Sequence, residues 1–388
     1  MKRPSQGKPG EGAPERAAEE AGVTRRRTEE AAGRRSPGRE RKLKVPAELV
    51  DLHIHVGGAV APHVLWSIAH DQGFKLPVSD YWEFKELVSA RPGKVRSLDE
   101  YLAVLHTWTE KIQSSPQAME RSVYEVIGKE YRSSRVSLIE LRFNPMKRNV
   151  GGERDLDHII HAALRGMDRA VLEYGVRAGL IFCLAREFDL RLNEILVEKA
   201  IRYRRRGVVG IDLAGTERNA LELEPGEVKR YRELFARARA AGLKTTVHTG
   251  ETAGTGAEGV RAVVEELEPH RIGHGIRAAS DERVMALLRE RGVVLEICPS
   301  SNLATRAVGS LDELGAILTR FWDHGVKFTI NTDGPYLLDT NLRSEVRMLK
   351  DAGVLSDEQL DQAIRWAREA TFVPEEAWTA PVPSRSVP

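Results

Sequence analysis

Four short stretches of this sequence carry side chains of the kind that bind divalent metal ions. The first is His53-Ile54-His55, at the end of an apolar run. Alternation along an extended strand turns both imidazoles to one face, and two neutral imidazoles a strand pitch apart can share one zinc ion. Val247-His248-Thr249-Gly250-Glu251 adds an imidazole and a carboxylate, Arg271-Ile272-Gly273-His274-Gly275 another imidazole, and Asn331-Thr332-Asp333-Gly334-Pro335 an acid. Each alone has an ordinary explanation, as a hydrogen-bonded core histidine or an aspartate capping a helix. Converging without a metal, they would leave several unpaired polar groups, at roughly several kcal/mol. A metal held by imidazoles and carboxylates of this kind, with a position left for water, lowers that water's pKa toward neutrality, which is the chemistry of hydrolysis.

These stretches need elements that end at one place. Eight β-rich apolar runs recur along the chain: 49–55, 138–143, 180–185, 208–213, 244–248, 271–274, 293–298 and 327–331. Amphipathic stretches separate them; 227–241, for example, places Val228, Tyr231, Leu234 and Phe235 at helical spacing. Eightfold strand–helix alternation predicts an α/β fold, a (β/α)8 TIM barrel, with a doubly wound open sheet as the alternative. Such barrels place their active sites at the C-terminal strand ends, where all four stretches fall. Residues 56–137 are too long for one crossover helix and contain helical segments near 62–72, 80–89, 98–113 and 116–133. They predict a helical insertion after the first strand, positioned as a lid or as extra packing. The domain is expected over 45–372, with an irregular C-terminal tail from 373 to 388.

Residues 1–44 carry 13 Lys/Arg against 7 Asp/Glu and few large apolar side chains, a composition expected to be a disordered basic tail. That leaves 46 basic and 50 acidic residues in the remainder, out of 59 and 57. A mildly acidic folded part argues against nucleic acid as a partner. The two cysteines, Cys183 and Cys298, lie in apolar runs and read as buried free thiols, which fits a reducing cytoplasm. No apolar stretch reaches membrane-spanning length, and the N-terminus has no secretory h-region.

Taken with Gly210-Ile211-Asp212-Leu213-Ala214-Gly215 and Asp51-Leu52 before the first pair of histidines, these motifs resemble the adenosine deaminase family of the amidohydrolase superfamily, over about residues 45–370. The resemblance implies one zinc ion per chain on His53, His55, His248 and Asp333. It implies Glu251 and His274 as the acid–base pair, Asp333 as the acceptor of the water's proton, and His55 and Gly215 beside the purine, with the Gly215 backbone meeting N3. The chemistry is coherent: a protonated Glu251 donating to ring N1 makes C6 attackable, and such a carboxyl needs a raised pKa. His274 orients the attacking oxygen, and ammonia leaves. The fourth strand, 207–213, lacks the lysine that bridges two metals in binuclear relatives. The H-x-E with P-C-x-x-C pattern of cytidine deaminases is absent. His3Asp ligation would also accept iron or cobalt.

Two positions depart from the family. Gly57 stands where the family has an aspartate reaching the ribose 5′-hydroxyl, and Gly334 where a second aspartate contacts purine N7. The expected substrate is therefore adenosine or 2′-deoxyadenosine, read by other side chains such as Asp339, or else a 5′-modified adenosine such as 6-aminodeoxyfutalosine. In the second case, loss of the aspartate would make room at Gly57. A barrel that binds nucleoside without catalysis is the alternative of another class, and the complete ligand set with Glu251 argues against it. His63, His70, His106, His158, His161, His270 and His324 read as surface or capping residues.

Overall fold

A computed structural model describes residues 48–150, 154–217 and 225–375. Eight parallel strands run in sequence order, β1 Leu49–His55, β2 Val136–Phe143, β3 Arg177–Ala185, β4 Val208–Ala214, β5 Lys244–Thr249, β6 Arg271–His274, β7 Val294–Ile297 and β8 Phe328–Ile330. Each pairs with the next. The ring closes just past β8: His55 N donates to Asp333 O (2.7 Å) and Asp333 N to His53 O (2.8 Å). The open sheet is thereby excluded and the (β/α)8 barrel is the architecture. The expected basic tail, 1–44, lies outside the described residues, as does the C-terminal tail beyond 375.

Between β1 and β2 stand α1 Val56–Ala59, α2 Pro62–Asp71, α3 Tyr81–Leu87, α4 Leu98–Val104, α5 Glu110–Ile112 and α6 Pro116–Ser134. A π-helical turn, Leu105–Thr109, joins α4 to α5; such turns are frequent at functional sites. The single crossovers are α7 Leu156–Tyr174, α8 Leu190–Tyr203, α9 Pro225–Ala240, α10 Gly256–Leu267 and α11 Glu282–Arg291. The chain then forms α12 Pro299–Ala304 and α13 Leu311–Asp323 before β8, and α14 Leu342–Asp351 and α15 Asp357–Ala370 after it.

Local chemistry sets these boundaries. The α7 helix opens where the Asp155 side chain accepts from Asp157 N, and closes at Gly175 in the left-handed region. Its apolar face, including Ile159, Ile160, Ala163, Met167 and Val171, is buried in the main core between helices and strands. Ser356 and Gln359 form a reciprocal capping box on α15. A second apolar cluster joins Val50, Leu52, Leu138 and Ile181 to Phe372 and Val373. β1 carries one extra residue against β2 between Asp51 and Ile54, a bulge of the kind that re-aims side chains beside active sites.

Candidate active site

The structure brings His53, His55, His248 and Asp333 together at the C-terminal strand ends. One ring nitrogen from each of the three histidines lies within 4.8 Å of the other two. His55 Nε2 and His248 Nε2 face each other at 3.1 Å. Asp333 Oδ1 stands 3.6 Å from His55 Nε2 and 4.0 Å from His53 Nε2. The buried His53 Nε2 has no hydrogen-bond partner. Lone pairs converging on one point, one of them buried and unpaired, suit a divalent cation. Gly273 makes the space, because a Cβ there would stand 3.0 Å from His53 Cε1 and 3.2 Å from His248 Cγ. The Cys298 sulfur also lies within reach of His53 and His274. Burial raises its thiol well above the usual range.

The other ring nitrogen of two imidazoles is held by a carboxylate. His53 Nδ1 meets Glu296 Oε2 at 2.7 Å, and His248 Nδ1 meets Asp212 at 3.0 Å. This arrangement fixes ring orientation and tautomer, as outer partners of metal-binding histidines do. Arg142, fully buried at the end of β2, bridges both carboxylates, at 3.0 Å to Asp212 and 2.8 Å to Glu296. Arg271 continues the chain from Glu296 to Glu140, 2.6 Å on each side. Burial would raise the carboxyl of Asp212, but His248 and Arg142 hold it well below the usual range. Glu296 is likewise lowered by Arg142 and Arg271 against its burial. Burial would lower His248, yet Asp212 raises it on balance. His53 and His55 are pushed well below the ordinary imidazole range by burial, and so remain neutral.

Beside this cluster His274 Nε2 lies 3.5 Å from Glu251 Oε2. Glu251 is buried, and burial together with the charges of Glu217 and Asp333 raises its carboxyl to about 8. Thr305 Oγ1 donates to Glu251 at 3.0 Å and Asn302 Nδ2 sits 3.0 Å from His274 Nδ1. Burial lowers His274 to about 4. Ser301, from the same α12, donates to Asp333 Oδ2 at 2.6 Å. Both His274 and Asp333 adopt left-handed backbone, at φ 61° and 60°. Non-glycine residues hold that conformation where the surroundings enforce it, often at functional sites.

The expected purine-side glycine, Gly215, has φ 112°, and a Cβ there would collide with the Glu187 carboxylate. A cavity of about 50 Å³ runs from His55 and Gly57 past Leu105, His106 and Glu110 to Gly215. Beside Gly57 there is no vacated room: a Cβ would stand 2.7 Å from Leu105 Cδ1, 3.1 Å from an Arg148 nitrogen and 3.3 Å from Glu110 Cγ. Glu110 pairs with Arg148 at 2.7 Å and with His106 at 2.5 Å. His106 is therefore a partly buried member of this cluster instead of a surface residue. At Gly334 a Cβ would fall on the Tyr101 hydroxyl. Asp339, offered from sequence as a substitute reader, does not line this cavity. Arg142, Glu296 and Asp212 escaped assignment, although charges inside the apolar runs LIELRF, VVGIDLA and VVLEIC were the available signal.

An eight-stranded barrel with imidazoles, a carboxylate and a neighbouring raised glutamate at its C-terminal mouth defines an amidohydrolase-type hydrolase. The profile of the adenosine deaminase family matches residues 48–380, and the chain belongs to that family. Relatives include adenosine deaminases of Shewanella denitrificans and Vibrio vulnificus strain CMCP6, each 31% identical. The first alignment spans 325 residues, 84% of this chain and 94% of the relative; the second spans 308, 79% and 89%. Among solved structures, an adenine deaminase from Arthrobacter aurescens superposes with a TM-score of 0.73 at 21% identity, covering 84% of this chain and 94% of that one. A zinc-bound amidohydrolase from Burkholderia ambifaria gives 0.72 at 22%, with 87% and 91% covered. The Arabidopsis N6-mAMP deaminase gives 0.70 at 21%, with 85% and 94% covered. At those identities the likeness speaks for the fold. No helix among the described residues is long and apolar enough to cross a membrane.

Proposed function

We propose that this protein hydrolyses adenosine and 2′-deoxyadenosine to the inosines and ammonia, with one zinc ion held by His53, His55, His248 and Asp333. The observation that carries the reading is Glu251, a buried carboxyl raised to about 8 beside a metal-ready cluster. At neutral pH it holds a proton and can donate it to N1, drawing electrons from C6. Bound zinc supplies Lewis acidity and a lowered pKa for water. Asp333, steadied by Ser301, takes the proton of the attacking water, and neutral His274, fixed by Asn302, orients that oxygen over C6. The Gly215 backbone approaches the purine edge where no side chain fits. The zinc-bound Burkholderia barrel supports the choice of metal.

Leu102, Leu105, His106 and Glu110 of the α4–α5 segment line the cavity. The ribose 5′ end would then meet Glu110, His106 and Lys147. An ionised Glu110, held low by Arg148 and His106 against its burial, favours a neutral 5′-hydroxyl. Lys147 on the same wall is the observation that favours a 5′-modified, anionic substrate instead. Two free, buried thiols suit a cytoplasmic setting. Ammonia release from adenosine, 2′-deoxyadenosine, 5′-methylthioadenosine, AMP, adenine and 6-aminodeoxyfutalosine tests the reading, with metal content measured on the same samples. Adenosine leading supports it, and a 5′-substituted compound leading replaces it by the second reading. No turnover by zinc-loaded protein overturns the purine assignment.

A further inference from the structure

The loop that follows β4 borders the cavity with the Gly215 backbone, and two residues further on it turns Glu217 back into the protein, where it is buried. The Glu217 carboxylate takes two amides of the turn after β5, one with each oxygen. Oε1 accepts from Glu251 N at 3.3 Å and Oε2 from Thr252 N at 2.6 Å. Thr252 Oγ1 completes the clasp by donating to Glu217 O at 3.1 Å. The two amides have no other acceptor among the described residues, so this part of the turn is held from the β4 side.

A neutral acceptor would serve a purely structural clasp. Here the acceptor is a buried carboxylate that pairs with no cation among the described residues, and it stands beside a second buried carboxyl. Two such groups resist carrying charge together. Glu251 is faced by Glu217 from the β4 loop, Asp333 past β8, His248 of β5, His274 of β6 and the neutral phenol of Tyr101 from α4. After burial itself, Glu217 stands first among the groups that raise it. In a 6-aminopurine, N1 and N3 lie on one edge of the ring, either side of C2. The proposed contacts of Glu251 with N1 and of the Gly215 backbone with N3 meet that edge together. We infer that Glu217 is a positioning residue that ties these two contacts to each other, fixing the Glu251 carboxyl, proton in place, relative to the Gly215 backbone. The inference rests on the proposed 6-aminopurine reading and adds to it a group that touches no substrate.

The experiment follows kcat and KM for adenosine from pH 6 to 9 in wild type, Glu217→Asp and Glu217→Gln, each with a melting curve and measured metal content. Aspartate keeps the charge and is too short to span both amides; glutamine keeps the length and loses the charge and one acceptor. Both variants should lose about 10–100-fold in kcat, the effect of misplacing a reacting group by about an ångström. KM should change by less than about threefold, as for an interaction that acts in the transition state. Activity that needs a protonated Glu251 fades as pH rises through its titration, and removing a neighbouring negative charge moves that titration down. The alkaline limb of kcat/KM should therefore move to lower pH in Glu217→Gln and stay in place in Glu217→Asp. A merely structural clasp would lower the melting temperature and leave the limb of both variants at the wild-type pH. An unmoved limb in folded Glu217→Gln, or kcat within about twofold of wild type in both variants, overturns the inference while the deaminase reading stands. Absence of adenosine turnover by zinc-loaded wild type overturns both.

Discussion

Replacing Glu251 with glutamine should make the protein more stable as it makes it inactive. An ordinary glutamate titrates near 4.5, whereas this carboxyl is held at about 8 by burial and by Glu217 and Asp333. Below pH 4.5 folded and unfolded chains both carry the proton, and the group costs nothing. Between 4.5 and 8 the unfolded chain releases it while the folded chain keeps it, so stability falls as pH rises. At pH 7 the penalty has accumulated over about 2.5 pH units, on the order of 3 kcal/mol at ~1.4 kcal/mol per unit. Glutamine is nearly isosteric, can still accept from Thr305, and has no proton to hold. Melting curves of both proteins, stripped of metal, from pH 5 to 8 read the difference. The variant should gain on wild type steadily across that range, reaching about 6 °C near pH 7 if ~1 kcal/mol corresponds to ~2 °C. Its deaminase activity should fall by about 10²–10⁴-fold, the usual weight of a general acid. Parallel melting profiles with a constant gap would refute the raised carboxyl, and with it the reason for casting Glu251 as proton donor.

Arg142→Met should destabilise the fold by about 3–5 kcal/mol, because Asp212 and Glu296 would be left buried without their shared guanidinium. A denaturation midpoint close to wild type would mean that water replaces the arginine. Gly273→Ala should leave the barrel folded while metal affinity falls by about tenfold or more, since the new methyl presses on His53 and His248. Metal titration followed by direct metal analysis checks it; unchanged affinity would show that the imidazoles can shift without loss.

The barrel and the centre of the site were legible because both depend on local pattern. Strand ends repeat at intervals, and His53, His55, His248, His274, Glu251 and Asp333 sit at those ends. What stayed hidden depends on long-range register. Nothing near Tyr101 in sequence says that its hydroxyl will meet Gly334, or that Glu110 and Leu105 will fill the space beside Gly57. The expectation of spare room at Gly57 failed for that reason: a deleted side chain leaves a void only if no other segment packs there. The π turn between α4 and α5 was equally invisible, since 98–113 reads as one continuous helix. Arg142 and Glu296 were a different kind of miss, because charges inside apolar strands ask for partners that composition cannot name.

The closure of the ring has a consequence for how this chain matures. Its first strand meets the chain just past its last through His53, His55 and Asp333, and β8 is only three residues long. Three of the four residues proposed to grip the metal therefore come from the two ends of the barrel, about 280 positions apart, with His248 from β5 between them. A nascent chain that has already laid down β1 through β7 still lacks Asp333, and contacts of such separation form late and slowly. Completing the ring and completing the donor set are therefore one event, and a barrel that can grip its metal with all four ligands is one whose ring has closed.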